Sequence, residues 1–113
     1  MAKAKVKADF DSIMRSCEAY NFENLAVYLF DSEYRMAGYI ASVLSENGDK
    51  TILAINKKDG SGSLRGDLAE YWKHNFKDFG YITVDGHPGF MGANLNGKPE
   101  TLIEELSKRF GIK

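Results

Sequence analysis

The 113 residues are 43% hydrophobic and 12% aromatic, enough apolar material for one packed domain without disulfides or a structural metal. Fifteen Lys plus Arg against 16 Asp plus Glu leave a formal charge of −1, which excludes a surface that attracts nucleic acid everywhere but not a local basic patch. Cys17 is the single cysteine, so an intramolecular disulfide and a cysteine-rich zinc site are excluded. No stretch approaches the ~20 consecutive apolar residues of a membrane span, and MAKAKVKADF lacks the apolar core of a secretory signal; the chain reads as cytoplasmic, with no membrane partner.

In chain order, KAKVK at 3–7 alternates charge with small apolar residues and suits a solvated arm or an exposed edge strand. Phe10, Ile13, Met14 and Cys17 follow at helical spacing, with Asp9 or Asp11 near the start. Residues 1–24 are read as an N-terminal arm and connector helix, and 25–113 as the packed domain. LAVYLF at 25–30 is a buried strand. Asp31 and Ser32 offer a cap to a helix with Met36, Ile40, Val43 and Leu44 on one face, ending at Asn47-Gly48 in a left-handed residue. TILAI at 51–55 is the next buried strand, and strand, helix and strand in this order predict a parallel crossover.

KKDGSGSLRGD at 57–67 holds a turn at Asp59-Gly60 and a short strand at SLR. Asp67 with Glu70 reads as a capping box opening a helix that carries Leu68, Tyr71, Trp72 and Phe76 and ends near Gly80. YITV at 81–84 and MGANL at 91–95 are strands joined through DGHPGF, and Pro99 starts a last helix with Leu102, Ile103, Leu106 and Phe110 inward. The fold class is therefore α/β, a single-domain mixed sheet of about five strands flanked by helices.

Two glycine-rich segments, 60–66 and 86–92, fall at strand ends, where backbone N–H groups can form anion nests. Each carries one side chain suited to phosphate. Arg65 offers a planar fork of donors, and His87 donates a hydrogen bond whether neutral or charged. Ser61 and Ser63 add hydroxyls, while Gly60, Gly62, Gly86, Gly89 and Gly92 permit close backbone approach by a ligand. Phe90 is the aromatic best placed to stack a base. The opposing reading, ordinary Gly-Ser turns with a solvated arginine, stays open on these features alone. A hydrolytic metal site has too few ligands: Asp85 and His87 make at most a pair, and His74 falls on the polar side of its helix. Ser61, Ser63 and Cys17 have no histidine and carboxylate team for nucleophilic catalysis.

From residue 25 onward the order LAVYLF, YRMAGYIASVLSENG, TILAI, GSGSLRG, DGHPGFMG, ANL and a closing helix resembles the DHH-associated domain, the C-terminal half of DHH-superfamily phosphoesterases such as RecJ-like exonucleases and nano-RNases. The anchors are Arg65 in the SLRG position and His87 followed by Gly92. Three departures stand out. The glycine run before the histidine is reduced to Gly86, with Val84 and Asp85 ahead of it; Phe90 and Met91 replace two small alanines; Gly66 replaces the serine after the arginine.

The resemblance implies a substrate-binding domain in which Arg65 and His87 grip a phosphate of single-stranded nucleic acid, a short oligonucleotide or a nucleotide. It also implies a partner, a DHH catalytic domain in cis or in trans, which holds the manganese or magnesium; this chain would carry no cofactor and no catalytic residue of the hydrolase. Nothing in the sequence identifies a 2′-hydroxyl reader, so DNA, RNA and small nucleotides stay open. The alternative is a non-catalytic interaction or structural module whose phosphate site has decayed, with Asp85, Phe90 and Met91 filling the cradle.

Overall fold

The computed structural model describes residues 3–33, 36–46, 48, 50–87 and 90–111, with residues 3–9 and 90 described by their backbone alone. Six strands form one mixed sheet. They are β1 (Glu18–Asn21), β2 (Leu25–Phe30), β3 (Thr51–Asn56), β4 (Ser61–Arg65), β5 (Ile82–His87) and β6 (Phe90–Leu95), in the spatial order β1-β2-β3-β4-β6-β5. Only β2 and β3 run parallel, as the crossover through α2 (Ala37–Glu46) requires, and the other neighbours are antiparallel.

Helices cover both faces, which explains why LAVYLF and TILAIN are apolar almost throughout rather than alternating. On one face α3 (Ala69–Lys77) and α4 (Pro99–Phe110) bring Trp72, Phe76, Leu102 and Leu106 onto Val27, Leu53, Leu64 and Met91. On the other, α1 (Lys3–Ser16) and α2 bring Ile13, Ile40 and Ala41 onto Ala26, Phe30, Ile52 and Ala54. Along β4 the sequence switches sides residue by residue: Leu64 enters the first core, while Ser63 and Arg65 face the α2 side. That alternation puts the polar half of β4 beside α2.

The α/β class agrees with the sequence reading, and the added strand is β1. Glu18–Asn21 pairs antiparallel with β2, and Lys57 holds the end of this pair through Glu18 at 3.7 Å and Asp31 at 3.5 Å. Within residues 3–24, Ile13 is buried against the sheet, and Lys3–Lys7 fall in α1 instead of an arm or edge strand.

Of the two expected side-chain caps, the Asp67–Glu70 box at α3 does not form. Asp31 is taken by Lys57, the Asn56 side chain holds the Ser32 backbone at 2.8 and 3.3 Å, and α2 begins at Ala37 with the Met36 carbonyl accepting from the Ile40 N–H at 2.9 Å. At α3 the Leu68 N–H donates to Thr51 Oγ1 at 3.0 Å, so a sheet hydroxyl does what the Asp67–Glu70 box was expected to do. Gly48 is not left-handed, and Asn47 lies outside the described residues.

Candidate functional site

Helix α2 packs chiefly on β3 and β4. The α2 side of the last two strands therefore stays open, and Thr83, Asp85, His87, Gly92 and Asn94 on it are all exposed. At the step between covered and open sheet lies a cavity of about 330 Å³, lined by Ala37 and Gly38 of α2, Ser61, Gly62, Ser63 and Arg65 of β4, and Met91 and Gly92 of β6. Two of the lining residues are the start of a helix that follows a parallel strand, the end of an α/β unit where ligands commonly bind.

Arg65 is the cation of this cavity. Its Nη2 lies 3.6 Å from the position a Cβ on Gly38 would take, so the guanidinium rests against the first turn of α2. Its Nε donates to Ser63 Oγ at 3.4 Å, and that buried hydroxyl donates to the Met91 carbonyl at 3.2 Å. Ser63 thus fixes the arginine from below. Ser61 is engaged on the other side: its N–H and its hydroxyl both donate to Asp59 Oδ1, at 2.9 and 2.7 Å. The cavity thus brings together the Arg65 guanidinium and the first N–H groups of α2, which have no partner within their own helix. Both are positive, and they converge.

The glycines divide. Gly92 forms open floor, with nothing within 4 Å of where its Cβ would be, while Gly62 lines the cavity through its backbone because a Cβ there would run into Ile55 and the Ala54 carbonyl. Gly60, at φ +77°, belongs to the turn: it exchanges hydrogen bonds with Asn56 and Leu95 at 2.8 Å and does not line the cavity. Gly86 pairs with Met91 in the sheet, away from the cavity, and Gly89 lies outside the described residues, as does the side chain of Phe90. Gly66 explains one departure from the DHH-associated pattern, since at φ +137° a Cβ would sit 2.6 Å from Thr51 Cα and a serine has no room.

His87 sits differently from the expectation. It is the last residue of β5, paired with Phe90, rather than part of a loop, and it is exposed. The register Leu64↔Met91↔Gly86 makes Arg65, Phe90 and His87 the next row across the three strands, so His87 shares a face with Arg65 but lies two strands away, about 10 Å at the backbone. It does not line the cavity. Met91 turns inward, 1% exposed, so it fills the core and leaves the cradle open. The residue that sequence reasoning missed is Gly38; its signal was a glycine at the start of an amphipathic helix, where no cap was needed.

The remaining candidates fall away from this site. His74 is on α3, across the sheet, with Nε2 3.9 Å from Glu70. Burial pushes the Cys17 thiol above its usual range, which keeps it a neutral thiol, and its Sγ approaches the Met14 carbonyl at 3.5 Å. Among the described residues no group of three or more His, Cys, Asp or Glu is placed to hold a metal ion, and no helix is long and apolar enough to cross a membrane. No protein-family model and no curated protein matches the chain, so its functional reading rests on the likeness in its motifs and on this geometry.

Proposed function

We propose that this chain is a non-catalytic, phosphate-gripping domain that binds short single-stranded nucleic acid or a nucleotide and works with a metal-bearing catalytic half of the DHH type, in cis or in trans. One observation carries the reading. The Arg65 guanidinium is held against the N-terminal turn of α2 at the edge of a solvent-open cavity, where a cation meets the positive end of a helix dipole. An anion placed there would meet both the guanidinium and the positive end of the helix. Phosphate fits in charge and in its several acceptor oxygens. Manganese or magnesium would come with the catalytic half.

The test is a titration of the purified chain with a labelled 5′-phosphorylated trinucleotide at low salt. Affinity is expected to fall about tenfold or more in Arg65→Ala, the scale of one charge-assisted contact. It should also fall with salt at a slope near −1 on logarithmic axes, as for one phosphate. Unchanged binding in Arg65→Ala removes the assignment, and manganese-dependent cleavage by the isolated chain removes the non-catalytic reading. The interaction-module alternative has one observation in its favour: Leu68 and Tyr71 are exposed one turn apart beside α3, at 37% and 48%. A surface cluster of that kind fits a protein contact.

A further inference from the structure

The open sheet beside the cavity narrows the ligand further, on the basis of the phosphate reading above. Ser63, Gly92 and Asp85 are directly opposite one another on β4, β6 and β5, so they form one row on the α2 side of the sheet. The middle of the row is bare among the described residues, with nothing within 4 Å of a Cβ on Gly92. Asp85 closes the far end, exposed, about 10 Å from Ser63 at the backbone as two strand spacings dictate. A phosphate held by Arg65 and the sugar bonded to it span that bare floor.

What Asp85 does to such a ligand follows from its chemistry. An ionised carboxylate only accepts hydrogen bonds, and it repels a second phosphate while welcoming hydroxyls, two of which it can take at once. The exposed neighbours one row away are Thr83 and Asn94 on one side, neutral donors and acceptors, and His87 on the other, whose ring N–H can share the carboxylate with a sugar hydroxyl. We infer that Asp85 is a specificity-determining residue that accepts the sugar hydroxyls of the bound phosphate ester. The ligand class is then a phosphate monoester whose sugar carries a vicinal diol, a ribonucleotide in preference to a deoxyribonucleotide.

The experiment is a calorimetric or NMR titration of the full chain, at low salt, with adenosine 5′-monophosphate, its 2′-deoxy analogue and ribose 5-phosphate. The ribonucleotide is expected to bind about five- to tenfold more tightly than the deoxy analogue, the scale of a charge-assisted hydrogen bond at an exposed site. Asp85→Ala should bring the two together by weakening only the ribonucleotide. Ribose 5-phosphate separates the sources of the chemistry: affinity equal to the ribonucleotide supports a sugar-phosphate ligand, and weaker affinity supports a nucleotide whose base is also touched. Equal affinity for the ribo and deoxy forms, with both weakened by Arg65→Ala, overturns the role of Asp85 and leaves the phosphate site standing. Affinities indifferent to Arg65→Ala overturn both.

Discussion

Arg65 and Gly38 are in contact across the mouth of the cavity: a Cβ on Gly38 would lie 3.6 Å from the guanidinium. At that distance a methyl group is accommodated, and a longer side chain is not. Gly38→Ala should therefore keep the site and stabilise the protein by up to ~1 kcal/mol, since alanine is the better helix former. Gly38→Leu should fill the cavity and displace Arg65, lowering phosphate affinity at least tenfold while the chain stays folded. Thermal unfolding beside the same phosphate titration checks both.

Gly92 and Gly60 are expected to respond in opposite ways, although one lies on β6 and the other just before its neighbour β4. Gly92 has open space above it and an ordinary strand conformation, so Gly92→Val should leave the urea midpoint unchanged or raise it, by up to ~1 kcal/mol, while blocking the floor of the site. At Gly60, φ is +77° and a Cβ would fall on the Leu95 carbonyl oxygen, so Gly60→Ala should cost more than ~1 kcal/mol and shift the midpoint down. A drop in stability for Gly92→Val of the same size would contradict the open floor.

Trp72 is the only tryptophan, is 1% exposed, and donates from Nε1 to Asn24 Oδ1 at 3.2 Å. Its fluorescence should be blue-shifted in the folded chain and report global unfolding directly. Trp72→Ala should cost roughly 3–5 kcal/mol through the cavity it leaves. Trp72→Phe and Asn24→Ala should each cost about 1 kcal/mol or more, and less than the sum together, because both remove the same hydrogen bond.

Tyr81 gives the alkaline behaviour. Burial first, then its hydrogen bond to Glu105 Oε1 at 2.7 Å and the charge of that carboxylate, push the phenol well above its ordinary range. Folded and unfolded chains both hold the proton at neutral pH, so the group adds no pH dependence there. Above pH ~10 the unfolded chain releases the proton and the folded chain keeps it, so stability falls as pH rises. Tyr81→Phe should flatten that limb in urea melts taken between pH 9 and 11, against the background of the other tyrosines. An unchanged slope would mean that Tyr81 ionises in the folded chain as it does in the unfolded one.

The elements that the sequence displays openly are those whose burial is simple. LAVYLF and TILAI are covered on both faces and read as continuous apolar runs; α4 shows its stripe and its Pro99 start. Glu18–Asn21 escaped because EAYN pairs along an edge with no buried hydrophobic of its own, so no alternation marks it. The capping box was misread for a different reason: Asp67 and Glu70 match a local pattern, but Thr51, distant in sequence, takes the Leu68 N–H at the start of α3. Within the site, Arg65, Ser63 and Gly92 were legible from composition. Gly38 and the row that relates Gly92 to Asp85 were not, because register is a property of two strands and not of either sequence.

Cavity-lining residues come from segments that are remote along the chain, Ala37 and Gly38 from one, Met91 and Gly92 from another. The two meet only through β4, which must pair with β3 on one side and with β6, some thirty residues downstream, on the other. Local units such as the β5–β6 hairpin or the β2–α2–β3 crossover can form early without making any part of the cavity whole. Occupancy is therefore coupled to the last and least local closure of the chain. A ligand that enters the cavity acts as a clasp on the complete fold, and its affinity should be readable as a rise in the melting temperature of the entire domain.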